Sequence, residues 1–165
     1  MLVYFRKAKG FTLIELLIVL GIIVILMTAV TLIVLPLRSK ANDARRKSDI
    51  AQAGKVLILR CYIPDAGAGD YDLVPLVDEL LAKYPNSAFT LRAPRDPARG
   101  TETEAFYRYV VNSSTKKCAV YGNLEQAHEP TTLSVTVPTP GGGTGIFEAA
   151  TPGWNGTTKY FQFSN

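Results

Sequence analysis

The stretch KGFTLIELLIVLGIIVIL, residues 9–26, decides how the chain is read. It carries one carboxylate, Glu15, inside an otherwise apolar run. From Leu16 to Leu35 twenty residues pass without a charge, broken only by Gly21, Thr28 and Thr31. At about 1.5 Å per residue a helix of that length reaches about 30 Å, the thickness of bilayer hydrocarbon. The expectation is a membrane-spanning helix. An ionised side chain at the centre of a bilayer costs about 2.5–3.5 kcal/mol on insertion scales, so a carboxylate retained in such a run implies a partner or a task. The alternative for Glu15 is an interfacial carboxylate snorkelling toward water.

Working outward, charge is unevenly distributed. The ten residues up to Gly10 hold Arg6, Lys7 and Lys9 and no acid. Residues 38–60 hold seven bases (Arg38, Lys40, Arg45, Arg46, Lys47, Lys55, Arg60) against Asp43 and Asp49, while residues 61–165 are mildly acidic. The net charge of +4 therefore does not describe a uniformly basic, nucleic-acid-like surface, and no specific nucleic-acid site is expected. Arg45, Arg46 and Lys47 are read as a solvated positive flank against lipid headgroups.

After Pro36, residues 37–62 read as a second half of the same helix. Ile50, Ala53, Leu57 and Cys61 recur at three- and four-residue spacing, a stripe suited to packing on a globular domain. The stretch from Arg38 to Asp49 has no such stripe and is expected to be solvated or pressed against lipid headgroups. PDAGAGD (64–70) reads as a loop. LVPLVDELLAKYP reads as a short helix started by Asp72 and stopped by Pro85. AFYRYVV (105–111) and KCAVYG (117–122), joined by NSSTK, read as an antiparallel hairpin; TTLSVTV (131–137) and TTKYFQF (157–163) alternate as further strands, with PTPGGGTG a loop between them. The fold class is α+β, a long N-terminal hydrophobic helix packed on a small antiparallel sheet. The expected organisation is a leader at 1–10, a transmembrane and polymerisation helix at 11–36, an amphipathic half-helix at 37–62 and a globular extracytoplasmic head at 63–165.

Cys61 and Cys118 are too few for a disulfide scaffold and lack metal-site spacing. If the head lies outside the cytoplasm they are read as one disulfide; otherwise they are two buried thiols. Asp65, Asp70 and Asp72 alternate with glycine in a manner that hard cations favour, but their spacing fits no defined calcium motif, and they are read as solvated loop acids. His128, the only histidine, has no nucleophile arranged beside it and reads as a surface residue. Tyr107, Tyr109 and Tyr121 read as cross-strand packing, not a stacking platform for bases. Asn112-Ser-Ser and Asn155-Gly-Thr match glycosylation sequons. No convergent catalytic set is found, and the expectation is no enzyme, no cofactor and no metal.

An ordinary secretory signal places an apolar region of about 7–15 residues before its cleavage site. Ser39-Lys40-Ala41 mimics such a site, but the preceding apolar run is too long. What KGFTLIELLIVLGIIVIL resembles is the class III leader and helix of type IV pilins and the related pseudopilins of type II secretion. The basic leader, Gly10, Phe11 and Glu15 occupy that family's positions; DARRKSDIAQ and the PRDP…FYRYVV region are pilin-like only in a general way. The resemblance implies cleavage after Gly10 by a prepilin peptidase, N-methylation of Phe11, and Glu15 as an assembly residue pairing with the Phe11 ammonium of a neighbouring subunit. It also implies other pilin or pseudopilin subunits, the inner-membrane pilus or secretion machinery and membrane lipid as partners. The protein would be a single-pass inner-membrane subunit with an extracytoplasmic head, assembled into a pilus or pseudopilus. The family's helix-bending proline, expected at Leu32, is displaced here to Pro36. A disulfide between Cys61 and Cys118 also departs from the frequent pilin loop near the C-terminus, since it ties the helix end to the hairpin. The alternative is a single-span anchored binding or sensor domain that never polymerises.

Overall fold

The computed structural model describes residues 10–85 and 92–165; within the helix, the side chains of residues 29, 31–33 and 35 lie outside the description. Helix α1 runs Leu13–Leu57, with Pro36 inside it. Strand β1 (Gly69–Asp72), helix α2 (Leu73–Lys83), and strands β2 (Tyr107–Asn112), β3 (Lys117–Asn123), β4 (Gly145–Glu148) and β5 (Lys159–Ser164) follow. The chain divides into two compact units, one ending at Arg38 and one spanning Ser39–Asn165.

In the first unit the described side chains of the apolar helix form no core of their own. Leu13, Ile14, Leu16, Leu17, Ile18 and Ile22 are all exposed, on every side of the helix. Among the described residues no helix is long and apolar enough to cross a membrane. The span expected at 11–36 draws on residues 29, 31–33 and 35, whose side chains fall outside the description.

The second unit is an α+β head with a five-stranded antiparallel sheet in the order β1-β2-β3-β5-β4. Side chains alternate across the sheet. Tyr107, Tyr109, Val111, Cys118 and Val120 face Ile50, Ala53 and Leu57 of α1, with Leu73, Val74 and Leu76 of α2, and form the core. Helix and sheet approach closely at two glycines. A Cβ on Gly54 would lie 2.4 Å from Phe163 Cδ1, and one on Gly122 would lie 2.8 Å from Ile50 Cδ1 and 2.9 Å from Tyr107 Cδ1. Only a residue without a side chain fits either place.

Asp72 starts α2: extended at φ −71°, it accepts the Val74 amide at 2.9 Å. The same carboxylate also takes the amides of Ala105 (2.8 Å) and Phe106 (3.0 Å). That diverts both residues from the ladder, with Phe106 at φ 57°, and β2 begins at Tyr107 instead of residue 105. In the hairpin, Asn112 Oδ1 receives the amides of Ser114 and Thr115, and Lys116 takes the left-handed conformation at φ 52°.

Four expectations are corrected. TTLSVTV (131–137) forms no strand. The edge of β5 is taken by β4, pairing Gly145 with Gln162 and Phe147 with Tyr160, which the sequence reading did not assign to a strand. Thr132 and Leu133 attach to β4 instead, both amides donating to Ile146 O. The PDAGAGD loop ends early, because Gly69 and Asp70 pair with Val111 and Val110 as β1. The long helix stops at Leu57, not Tyr62; Ile58 adds one more helical bond to Gly54 O, and Cys61 sits at φ 41°. Finally, the Arg38–Asp49 stretch is not solvated throughout: Asp43 and Arg46 are both 0% exposed.

Candidate functional site

The first unit places the motif residues at the start of α1. Gly10 and Phe11 are exposed ahead of the helix, Phe11 at 82%. A Cβ built on Gly10 meets nothing within 4 Å among the described residues, so their packing does not require glycine there. Thr12 and Glu15 form a capping box. The Thr12 amide donates to Glu15 Oε2 at 2.9 Å, the Thr12 hydroxyl donates to the same oxygen at 2.9 Å, and the Glu15 amide returns a bond to Thr12 Oγ1 at 3.3 Å. Two orphan donors of the helix start are thereby satisfied. Thr12 escaped the sequence reading, although the T-x-x-E spacing announces it.

The second unit is built on an ionic cluster that the sequence reading also missed. Arg46 donates from Nε to Asp96 Oδ2 (2.7 Å), from Nη2 to Asp96 Oδ1 (2.9 Å) and Glu125 Oε1 (2.6 Å), and from Nη1 to Asp43 Oδ1 (2.7 Å). Asp43 also receives the amides of Glu125 and Gln126, both at 2.9 Å. Asp96 receives those of Ala98 (2.8 Å) and Arg99 (3.0 Å) and the Asn155 amide group (3.0 Å). Burial works against the charged guanidinium, but its hydrogen bonds to Asp96, Glu125 and Asp43 outweigh it and hold Arg46 above its ordinary value. Burial likewise works against the Asp96 carboxylate, and its bonds to Arg46, Ala98 and Asn155 keep it below the usual range. The cluster fastens α1 to the loops around residues 96 and 125. Asp43 and Arg46 stand three apart on one helix face, the single signal in the sequence; Asp96 and Glu125 carry none.

Of the basic triplet, therefore, only Arg45 projects outward, loosely paired with Asp49 at 3.6 Å, while Lys47 binds Glu129 at 2.7 Å. The positive flank expected of all three is corrected to one exposed side chain. Cys61 and Cys118 form a disulfide with Cα atoms 5.5 Å apart, joining the turn after α1 to β3. Asn165 buttresses it, with Nδ2 near Cys61 Sγ at 3.4 Å and Oδ1 accepting the Cys118 amide at 3.1 Å.

The three acids read as solvated have separate tasks. Asp72 is buried on backbone amides, Asp70 binds the Tyr121 hydroxyl at 2.6 Å and Arg108 Nε at 3.2 Å, and exposed Asp65 pairs with Lys83. Among the described residues no three His, Cys, Asp or Glu side chains are grouped to hold a metal ion. His128 lies exposed on the segment after β3. Tyr107 and Tyr109 are wholly buried, Tyr109 donating to Tyr62 O at 2.8 Å, and burial pushes both phenols well above their ordinary values. Asn155 commits its amide group to Asp96 and Asn123 O, whereas Asn112 sits in the exposed hairpin turn.

Residues 5–31 match the family model of the prokaryotic N-terminal methylation motif. That motif is the class III signal peptide of type IV pilins and pseudopilins. The helix followed by a five-stranded antiparallel sheet is an α+β arrangement consistent with a pilin-like fold. No curated protein and no solved structure matches the chain.

Proposed function

We propose, for a chain that carries the N-terminal methylation motif of pilin-like precursors, that it is a structural subunit of a type IV pilus or pseudopilus. The motif match over residues 5–31 carries this reading. Prepilin peptidase cuts after Gly10 and Phe11 becomes the N-methylated first residue. Exposed Gly10 supports this: among the described residues no neighbour excludes a side chain there, which leaves the peptidase that reads the glycine as the source of the requirement.

The mature helix, residues 11–36, holds the subunit in the inner membrane with residues 63–165 as an extracytoplasmic head on the amphipathic stretch 37–62. Polymerisation then transfers the apolar helix from lipid into a bundle of like helices. Side chains exposed on every face suit both surroundings. In the bundle Glu15 neutralises the Phe11 ammonium of a neighbouring subunit. Pairing the two avoids the large penalty of an isolated buried charge and fixes axial register. Lipid, the peptidase, like subunits and the assembly machinery are the partners this reading requires.

Mass spectrometry of the mature N-terminus in sheared filaments tests the reading. A chain beginning at N-methylated Phe11 is expected. Filaments built from chains that still begin at Met1 overturn it.

A further inference from the structure

The face of the sheet turned away from the helices carries its own group of side chains. Tyr107, Tyr109 and Val120 point into the core, so Arg108 and Tyr121, paired across β2 and β3, point the other way. Asp72, opposite Arg108 in β1, and Asp70, two residues before it, share that side. Together with Phe106 and Trp154 they line a cavity of about 290 Å³.

Three aromatic rings form its walls. Trp154 is inclined at 56° to Phe106 and at 43° to Tyr121, with ring centres 6.3 and 6.5 Å apart, so neither neighbour stacks flat over the indole. The indole Nε1 is enclosed and has no hydrogen-bond partner among the described residues, so Trp154 offers the cavity π surface and not a donor. Phe106 is held from behind. Asp72 accepts its amide and that of Ala105, and Phe106 sits at φ 57°, a conformation costly for a bulky side chain. That strain fixes a ring at the cavity wall.

Charge separates the possible guests. Three carboxylates, Asp70, Asp72 and Glu104, line the cavity with one guanidinium, Arg108. Two of the acids are already occupied: Asp70 takes the Tyr121 hydroxyl and Arg108 Nε, and Asp72 takes three backbone amides. Glu104 is different. A turn with Thr101 fixes its backbone, yet its carboxylate has no partner among the described residues. Aromatic faces and a free carboxylate attract the same guest, a cation. The acids are not grouped to hold a metal ion. A primary ammonium carries three donors and would find one free carboxylate for them, leaving hydration unreplaced. A quaternary ammonium has no donor to satisfy and turns methyl groups to the rings.

We infer that this cavity binds a quaternary ammonium group of the choline type, its methyls against Phe106, Tyr121 and Trp154 and its charge beside Glu104. The site lies wholly within the second unit and does not rest on the proposed subunit role.

Trp154 is the only tryptophan in the chain, so its fluorescence reports on this cavity. The full-length protein in non-ionic detergent is titrated at constant ionic strength with three compounds: choline, its uncharged isostere with carbon in place of nitrogen, and propylammonium. Equilibrium dialysis of choline against the same protein measures the amount bound. Choline is expected to change the Trp154 emission saturably, and the other two compounds to bind about tenfold more weakly or worse. Glu104→Gln, at an exposed position, is expected to weaken choline binding about tenfold, and Phe106→Leu about fivefold. Formation of the Cys61–Cys118 disulfide reports a folded head in both variants. Equal binding of the uncharged isostere would make the cavity a plain apolar hollow, and equal binding of propylammonium would remove the quaternary preference. Either result overturns the inference, as does choline that is not retained in dialysis or an unchanged affinity in Glu104→Gln.

Discussion

Arg46 and Asp96 lie fifty residues apart in the chain and meet through two parallel hydrogen bonds, 2.7 and 2.9 Å, with neither side chain exposed. This fork-on-fork pairing is the strongest geometry available to a guanidinium and a carboxylate. Because Asp43 and Glu125 close around the same guanidinium, removing it strands three acids at once.

Arg46→Ala is accordingly expected to destabilise the head by about 3–5 kcal/mol, the usual cost of breaking a buried ion pair from one side. Arg46→Lys keeps the charge but loses the fork and is expected to recover only part of that stability. Chemical denaturation of the two variants against wild type measures both losses. A change within about 0.5 kcal/mol for Arg46→Ala, as for an exposed surface site, would show that the cluster is not a stabilising junction.

The same pairing sets an acid limit. In the folded chain Asp96 titrates below the usual carboxylate range, its bonds to Arg46, Ala98 and Asn155 overcoming the effect of burial. A lowered folded value means that ionised Asp96 stabilises the native state fully above the unfolded value and loses that contribution as pH falls through the folded one. Stability is expected to be level through neutral pH and to decline below about pH 4. Asp96→Asn is expected to be less stable near neutrality and to show a shallower acid decline, read from unfolding midpoints between neutral and strongly acidic pH.

The disulfide closes a loop of sequence separation 57 and joins the end of α1 to β3. Reduction, or the pair Cys61→Ser with Cys118→Ser, is expected to cost about 2–4 kcal/mol by freeing the unfolded chain. Thiol labelling under denaturing, non-reducing conditions checks the state of the native protein. Two labelled thiols in exported subunit would refute the bond.

Glu15 has two separable duties. Its capping box with Thr12 needs an acceptor oxygen, which glutamine also has; its proposed pairing with a neighbour's ammonium needs the charge. Glu15→Gln is therefore expected to keep the helix start and insert normally, yet to yield far fewer filaments. Glu15→Ala loses both duties and is expected to assemble no better. Filament yield equal to wild type from Glu15→Gln would refute the ionic role.

Gly54 lets α1 touch the ring of Phe163, and a side chain there has no room. Gly54→Leu is expected to cost about 1–3 kcal/mol through overpacking, despite leucine's better helix propensity. The double variant Gly54→Leu with Phe163→Ala is expected to relieve part of it, which thermal unfolding detects.

Much of this architecture was legible from local pattern. The methylation motif, the helical spacing of Ile50, Ala53 and Leu57, the Asp72 start of α2 and the β2–β3 hairpin are all written within a few residues of where they act. Helix periodicity and caps are short-range physics, and one sequence records them.

What the tertiary structure decided concerns partners far apart in the chain. TTLSVTV alternates like a strand, yet β4 holds the edge of β5 left open by β3, and pairing with an edge is a competition no single segment reveals. Arg46 reads as one more base in a basic run. Its burial follows only because Asp96 and Glu125 arrive from elsewhere to compensate it, and an uncompensated charge would have stayed in water. Likewise, Asp72 reads as a helix cap but also fixes where β2 begins, through amides more than thirty residues away. Local propensities select the elements; edge competition and the pairing of buried charges select how they are joined.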